Sequence, residues 1–465
     1  MRSPKFLPLS LSCATLFLAG CLRKEAALPD KTGRVPDTEI ILRLHGSNTI
    51  GAKMAPALAR DWFSAQGVDT VFEQAGSTAE ESYVRARKGT REEAIEIWSY
   101  GSNTGFNDLA WGKCDIGMSS KPIDNETAKR LAALGDMHSP LNEHIIGLDG
   151  IAIIVNAANP LRRLDVAAAA AIFSGRVKDW GLIQGGAAGP IVPYTRDRNS
   201  GTFDVFRHIV LGSEALTDSA AICESNERLV EAVAADVRAI GYAPVGSLGD
   251  GTALEIASGE AKALAPTKIN IATEDYPLSR RLFLYTPAQS SNPRVRSFLE
   301  FVQSEAGQLR VEASGFIAQI PRLSKPAMPA DAPVAYRGET REALRMAIDF
   351  RFHPGSFELD NKARQDLARL ARFVERENLK PCRLKLFGFC DNIGKPDRNL
   401  DLSNHRAKVV AEALKGGFGI ETARVIGFGS VLPIATNATD AGREKNRRIE
   451  VWMDCASDLA VTAAP

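Results

Sequence analysis

The stretch Asp149 to Asn156, DGIAIIVN, decides the class of fold. Within it Gly150, Ile151, Ala152, Ile153, Ile154 and Val155 form an apolar run with no polar alternation, the pattern of a strand buried on both faces. Helical patterns stand on either side of it. Ile50, Met54, Leu58 and Trp62 recur every fourth residue, and Phe203, Phe206 and Ile209 do nearly the same. Strands alternating with helices predict an α/β domain, with ligands expected where strands feed helix amino termini.

Three hydroxyl-rich turns occupy such places: Gly46-Ser47-Asn48-Thr49, Gly101-Ser102-Asn103-Thr104 and Asn199-Ser200-Gly201-Thr202. A helix amino terminus presents free N–H groups and partial positive charge, so several of them with Ser and Thr hydroxyls form a cage for a small oxyanion. Arg196 precedes the third turn, and its guanidinium can offer two parallel donors to the same anion. Asp115, in CDIGMSS from Cys114 to Ser120, is the counterpoint. A carboxylate beside a dianion is unfavourable unless it accepts a proton from it, which selects protonated phosphate over sulfate. Each feature has a plain alternative: Ser, Thr and Asn cap helices, Asp115 suits a turn, and Arg196 suits a solvated surface.

The chain has 465 residues, enough for two or three domains. A charged fraction of 24% and a net charge of +1 argue against disorder and against a nucleic-acid face. Met1, Arg2 and Lys5 precede an apolar run ending near Leu18, which reads as a secretory signal too short to span a membrane in the mature protein. Residues 22–40 read as a tether. A second break at 322–340 carries Lys325, Pro326, Pro329, Asp331 and Pro333.

Beyond that break the pattern changes. Ala363, Leu367, Leu370 and Val374 make one helical stripe and Ala407, Val410 and Leu414 another. Leu384, Leu386 and Gly388 alternate with Lys385 and Phe387, as do Ile449, Val451 and Met453 with their neighbours, which predicts a small α+β module. Outside the amino-terminal segment, with Cys13 and Cys21, five cysteines remain: Cys114, Cys223, Cys382, Cys390 and Cys455. Cys382 and Cys390 on one extended strand are roughly 26 Å apart and cannot pair, and an odd count leaves at least one thiol free. No metal-ligand spacing appears, and neither a metal nor a cofactor is expected.

Taken together, Asp149 to Asn156, Ile172 to Trp180 (IFSGRVKDW), Arg196 to Thr202 (RDRNSGT), Ile240 to Val245 (IGYAPV), Tyr276 to Tyr285 (YPLSRRLFLY) and Phe301 to Phe316 resemble the phosphate-binding protein family of bacterial phosphate ABC transporters. The resemblance runs over most of 41–320. It implies a bilobed periplasmic-binding-protein fold closing on phosphate, with contacts from Ser47, Asn48, Thr49, Ser102, Asp115, Arg196, Ser200, Gly201 and Thr202. Two departures stand out. Arg198 and Asn199 replace the family's acidic residue and Gly, so that the second Arg either points outward or adds charge for a larger or more highly charged anion, and a charged stretch from Lys88 to Glu96 precedes the second turn.

Asn399 to Ala407, NLDLSNHRA, resembles the signature of the OmpA carboxyl-terminal, peptidoglycan-associating family. FRFHPGSFEL at Phe350 to Leu359 resembles that family's first strand and turn, and NRRIEV at Asn446 to Val451 its last strand. Asp391 ends a strand and Arg406 lies on the next helix, so a carboxylate and a guanidinium can meet the ammonium and carboxylate of a diaminopimelate side chain. The resemblance assigns that role to Asp391 and Arg406, with Asn399 and Arg448 in support. Where the family has Gly-His-Thr-Asp this chain has Gly388-Phe389-Cys390-Asp391. Leu18-Ala19-Gly20-Cys21 resembles the bacterial lipobox, which implies lipidation of Cys21, and Leu22 after it favours the outer membrane.

The expected organisation is a lipoprotein signal at 1–21, a tether at 22–40, a first domain at 41–321, a linker at 322–340, a second domain at 341–456 and a tail at 457–465. The expected protein is not an enzyme. It sits at the periplasmic face of the outer membrane, binds phosphate or a related oxyanion and peptidoglycan, and touches the membrane only through its lipid. Two rivals remain: a tether whose first domain no longer binds anions, and a phosphatase using Ser47 or Ser200. For the latter, none of His45, His138, His144, His208, His353 and His405 stands in a recognisable triad arrangement.

Overall fold

Gly150–Val155 is the second half of a 13-residue strand, Glu143–Val155, that passes from one hydrophobic core into another. Its first part pairs antiparallel with Ser279–Tyr285, and Ile151–Val155 pair with Ala239–Pro244. Ile146 belongs to a core with Leu44, Trp62, Ile97 and Phe298. Leu148, Ile151 and Ile153 belong to another with Phe173, Phe206, Tyr242 and Tyr276. The chain therefore crosses between two lobes on this strand and returns on Ser279–Tyr285, the bilobed arrangement expected. This is a computed structural model describing residues 38–198, 200–329, 331–353 and 356–455. The expected signal, Cys21, the tether as far as residue 37, Asn199 and the tail lie outside the described residues.

One sheet serves both lobes, in the order Thr70–Ala75, Glu81–Lys88, Arg91–Trp98, Glu39–Gly46, Ile116–Ser119, Ser279–Tyr285, Glu143–Val155, Ala239–Pro244, Val192–Arg196, Ala221–Cys223. Glu39–Gly46 lies parallel between Arg91–Trp98 and Ile116–Ser119, so all three strands deliver their carboxyl ends to the same edge. The helix after the first of them is broken. Asn48–Gly51 forms one turn and Met54–Ala65 a second helix that buries Met54, Leu58 and Trp62. Pro56 explains the break, since it cannot donate to the Ala52 carbonyl and its ring clashes there. The charged stretch Lys88 to Glu96 is the turn and second strand of an antiparallel hairpin.

The carboxyl-terminal part is a five-stranded sheet in the order Leu323–Ser324, Leu344–Arg351, Arg448–Asp454, Arg383–Gly388, Thr422–Gly427. Helices Asn361–Arg376 and Pro396–Phe418 cover one face with the predicted Leu367, Leu370, Val410 and Leu414. The other face is covered too, since Arg448–Asp454 is buried almost throughout. The cover comes from 322–340, the expected linker. There Leu323–Ser324 pairs with Leu344–Arg351, and helix Val334–Thr340 sets Tyr336 against Phe387, Phe389, Phe428 and Trp452. Cys382 and Cys455 are disulfide-bonded, while Cys114, Cys223 and Cys390 are free thiols.

This sheet domain contacts both lobes. Arg281 donates to Glu274 at 2.6 and 2.8 Å and to Asp360 at 2.8 Å. Asn361 donates to Glu143 and to the His138 carbonyl, at 3.0 and 2.9 Å. Lys445 reaches the carbonyls of Tyr276 and Pro277. Burial raises the Glu274 pKa, but Arg281, Lys362 and Arg351 overcome this and hold it well below the ordinary carboxylate range. Glu274 also has φ +63°, a backbone region uncommon for a non-glycine residue.

Candidate functional site

Where the three parallel strands end, a cavity of about 340 Å³ opens between the lobes. Ser47, Asn48, Thr49, Ser102, Ser120 and Lys121 line it from the first lobe, and Ser200, Gly201, Asp204, Arg207 and His208 from the second. Gly46 makes the first turn possible. Its φ is +136°, and a Cβ there would lie 2.1 Å from the Met118 carbonyl oxygen. Its own carbonyl accepts from Gly101 N at 2.7 Å, which ties the first turn to the second. Ser102 Oγ then accepts from Ser120 N at 3.1 Å. Gly201 does the equivalent across the cleft, because a Cβ there would meet Thr49 Oγ1 at 2.8 Å and Thr49 N at 3.1 Å.

Arg280, on the strand that returns between the lobes, closes the floor. It donates to Thr49 Oγ1 at 2.8 Å, to the Ser120 carbonyl at 3.3 Å and twice to Asp149 at 3.2 Å. Beside it Ser47 is 1% exposed, and its hydroxyl makes no hydrogen bond within the protein. A buried hydroxyl is ordinarily satisfied, so this one is placed for a ligand. Burial lowers the His208 pKa below the ordinary imidazole value; Asp204 opposes the shift, and the cations Lys121, Arg280 and Arg207 add to it.

The sequence-predicted residues divide. Ser47, Asn48, Thr49, Ser102, Ser200 and Gly201 meet in this cavity. Arg196 and Thr202 face an adjoining cleft on the other side of the Thr49 and Gly201 contact. The Arg196 guanidinium is bonded to the Cys223 and Glu224 carbonyls, to Asn226 and to Asp197, which leaves it positioning a loop. Asp115 is elsewhere: its carboxylate accepts from Arg43 N at 2.8 Å and from Asn292 at 3.1 Å. It precedes strand Ile116–Ser119, whereas the cavity lies beyond that strand's carboxyl end, so Ser120 stands where Asp115 was expected. His45 is held by Asp108 at 2.8 Å and Glu96 at 3.1 Å and makes no hydrogen bond to the Ser47 hydroxyl. Ser200 Oγ accepts from Phe203 N at 3.4 Å as a helix cap.

In the sheet domain, Asp391 accepts from Arg447 at 2.7 Å and from Ile393 N at 3.0 Å, and Asn399 holds its carbonyl at 3.2 Å. Arg406 is 5% exposed and lies over the rings of Phe352 and Phe357. Its Nε and one terminal nitrogen make no hydrogen bond within the protein. Burial lowers its pKa and pushes the neighbouring Cys390 thiol up to about 11. Arg448 faces away, bonded to Glu450 at 2.8 and 3.1 Å and stacked over Phe389 at 4.0 Å. It is a structural residue of the opposite sheet face, and Arg447 takes the place expected for it beside Asp391.

The profile of the PBP superfamily domain matches residues 60–306, more than half of the chain. The chain belongs to the PBP superfamily. Residues 351–447 of this PBP-superfamily chain also match the OmpA family. Similar proteins include Protein SphX of Synechococcus elongatus, 27% identical over 265 residues, which are 55% of this chain and 76% of that protein. Another is the Phosphate-binding protein PstS of Staphylococcus aureus, 28% identical over 232 residues, 48% of this chain and 69% of that protein. Among solved structures, a possible phosphate binding protein from Planctomyces limnophilus aligns with a TM-score of 0.48 at 24% identity, over 60% of this chain and 93% of the other.

Sequence reasoning missed Arg280, Ser120, Lys121, Arg207 and His208 as cavity residues of this superfamily member. Arg280 left one signal: a charged pair, Arg280 and Arg281, opening an otherwise apolar strand. Adjacent strand residues point to opposite faces, so one arginine enters the cleft and the other enters the contact with the sheet domain.

Proposed function

We propose that this chain is a cell-envelope protein that binds phosphate between its lobes and associates with peptidoglycan through its OmpA-family domain. The observation that carries the first half is the unbonded, buried Ser47 hydroxyl beside Arg280, Thr49 and Ser120. Phosphate offers acceptors to the hydroxyls and to the arginine, and Asp149 offsets the arginine's charge so that the floor supplies donors more than net charge. The names of the relatives SphX and PstS support the same ligand class only through the second of them. Calorimetric titration of the full chain with orthophosphate should show binding, and Ser47→Ala should weaken it about tenfold, the worth of one hydrogen bond to a charged group. No binding by the unaltered chain would overturn this half.

The unbonded Arg406 N–H groups carry the second half. They suit a peptide carboxylate held over Phe352 and Phe357, while Asp391 suits an ammonium, the two charges of a diaminopimelate side chain. Arg406→Ala and Asp391→Ala should each abolish retention on purified sacculi, with folding checked by circular dichroism. Undiminished retention would refute the assignment. Cys21 is proposed as the lipidated residue at the outer membrane. Cys21→Ser should then move the protein from the membrane fraction to the soluble fraction.

A further inference from the structure

The cavity has its uncompensated positive charge at the rim and not at the floor. Its floor is a connected set: Ser47, Thr49, Ser102, Ser120 and Arg280, with the Arg280 charge already answered by Asp149. Its rim is different. Lys121, Arg198 and Arg207 stand there with a single lining carboxylate, Asp204, which lies 3.5 Å from Arg207. Leaving His208 aside, three cations against one carboxylate give the rim an excess of two positive charges. No carboxylate lies within ion-pair distance of Lys121 or Arg198 among the described residues.

Size agrees with charge. A five-atom phosphate occupies the volume of roughly two or three waters, or about 60–90 Å³ at ~30 Å³ each, which is a minor part of the 340 Å³ cavity. A single phosphate on the floor leaves Lys121 and Arg198 with no ion-paired carboxylate and Arg207 with Asp204 alone. From this juxtaposition of a neutralised donor floor and a cationic rim, we propose that the cleft is built for a condensed phosphate of the pyrophosphate class. One phosphoryl group sits on the floor and the second sits between Lys121, Arg198 and Arg207. A phosphate monoester with an uncharged substituent satisfies the floor alone. This rests on the anion-binding reading of the cleft and specifies its ligand.

Calorimetry on the full chain at two salt concentrations tests it with orthophosphate, pyrophosphate and glycerol phosphate as probes. Pyrophosphate should bind at least tenfold more tightly than the other two, with the steeper salt dependence, because more exposed charge is met. The double variant Lys121→Ala/Arg207→Ala should weaken pyrophosphate at least tenfold more than it weakens orthophosphate. Circular dichroism verifies that it folds. If orthophosphate binds as tightly as pyrophosphate, or if the double variant weakens both equally, the proposal fails while the phosphate reading stands. If none of the three binds, the anion reading fails with it.

Discussion

Gly201 shows how a single missing carbon governs the cleft. Its position against Thr49 is a place where the lobes touch beside the cavity, and the nearest atoms include backbone, which cannot swing aside. Gly201→Ala should therefore hold the lobes apart at the cavity without disturbing either core. We expect phosphate affinity to fall at least tenfold with the melting temperature changed by no more than a few degrees, read by calorimetry of binding and of unfolding. At this scale the sequence is a partial guide. Ser47, Thr49, Ser102 and Ser200 are legible as a hydroxyl set because turns before helices are local features. Asp115 misleads, because residue type says nothing about which end of a strand bears the ligand. Reading Ile116 to Ser119 as a parallel strand moves attention to Ser120, five residues on.

At the scale of elements, the crossing strand Glu143–Val155 and the helix Val334–Thr340 do work that periodicity does not announce. His144 lies in the crossing strand, where its Nε2 meets Thr286 Oγ1 at 3.1 Å, and burial lowers its pKa to about 4. The unfolded chain takes up a proton near pH 6.5 and the folded chain only near 4, so stability falls as pH drops through that window. Part of the side chain reaches solvent, which limits the effect to about 2 kcal/mol. His144→Gln should flatten the acid limb of denaturant-measured stability between pH 6.5 and 4, and an unchanged slope would count against this account. Tyr336, on the covering helix, is buried among four rings and donates to Glu450 at 2.7 Å. Tyr336→Ala should cost the sheet domain about 4 kcal/mol, an aromatic truncation that also removes the Glu450 hydrogen bond. A thermal midpoint equal to that of the unaltered chain would show that the helix is not a structural part of the domain.

Across the whole molecule, the sheet domain is joined to the lobes by buried charge. Arg281 links Glu274 of the second lobe to Asp360 at the start of a sheet-domain helix, and Arg369 reaches Gln319 at 2.5 Å and Gln303 at 2.7 Å. A buried pair is weak evidence of net stabilisation, but removing one partner strands the other. Arg281→Met leaves two carboxylates facing each other, so we expect a loss of about 3 kcal/mol and the splitting of one calorimetric transition into two. A single transition at the original temperature would show that the domains melt together for other reasons.

The sequence by itself determined the elements and their order: a strand apolar on both faces, amphipathic helices at their own period, hydroxyl turns at helix starts, and the change of pattern after the second break. These are properties of neighbouring residues, and local sterics and burial write them into the chain. Tertiary structure alone decided which strand ends share a cavity, that Arg280 rather than Arg196 or Asp115 lies at its floor, that Arg447 rather than Arg448 meets Asp391, and that the expected linker roofs a sheet. Each depends on which face a side chain takes and which distant segment arrives there, and neither is set until the whole chain has folded.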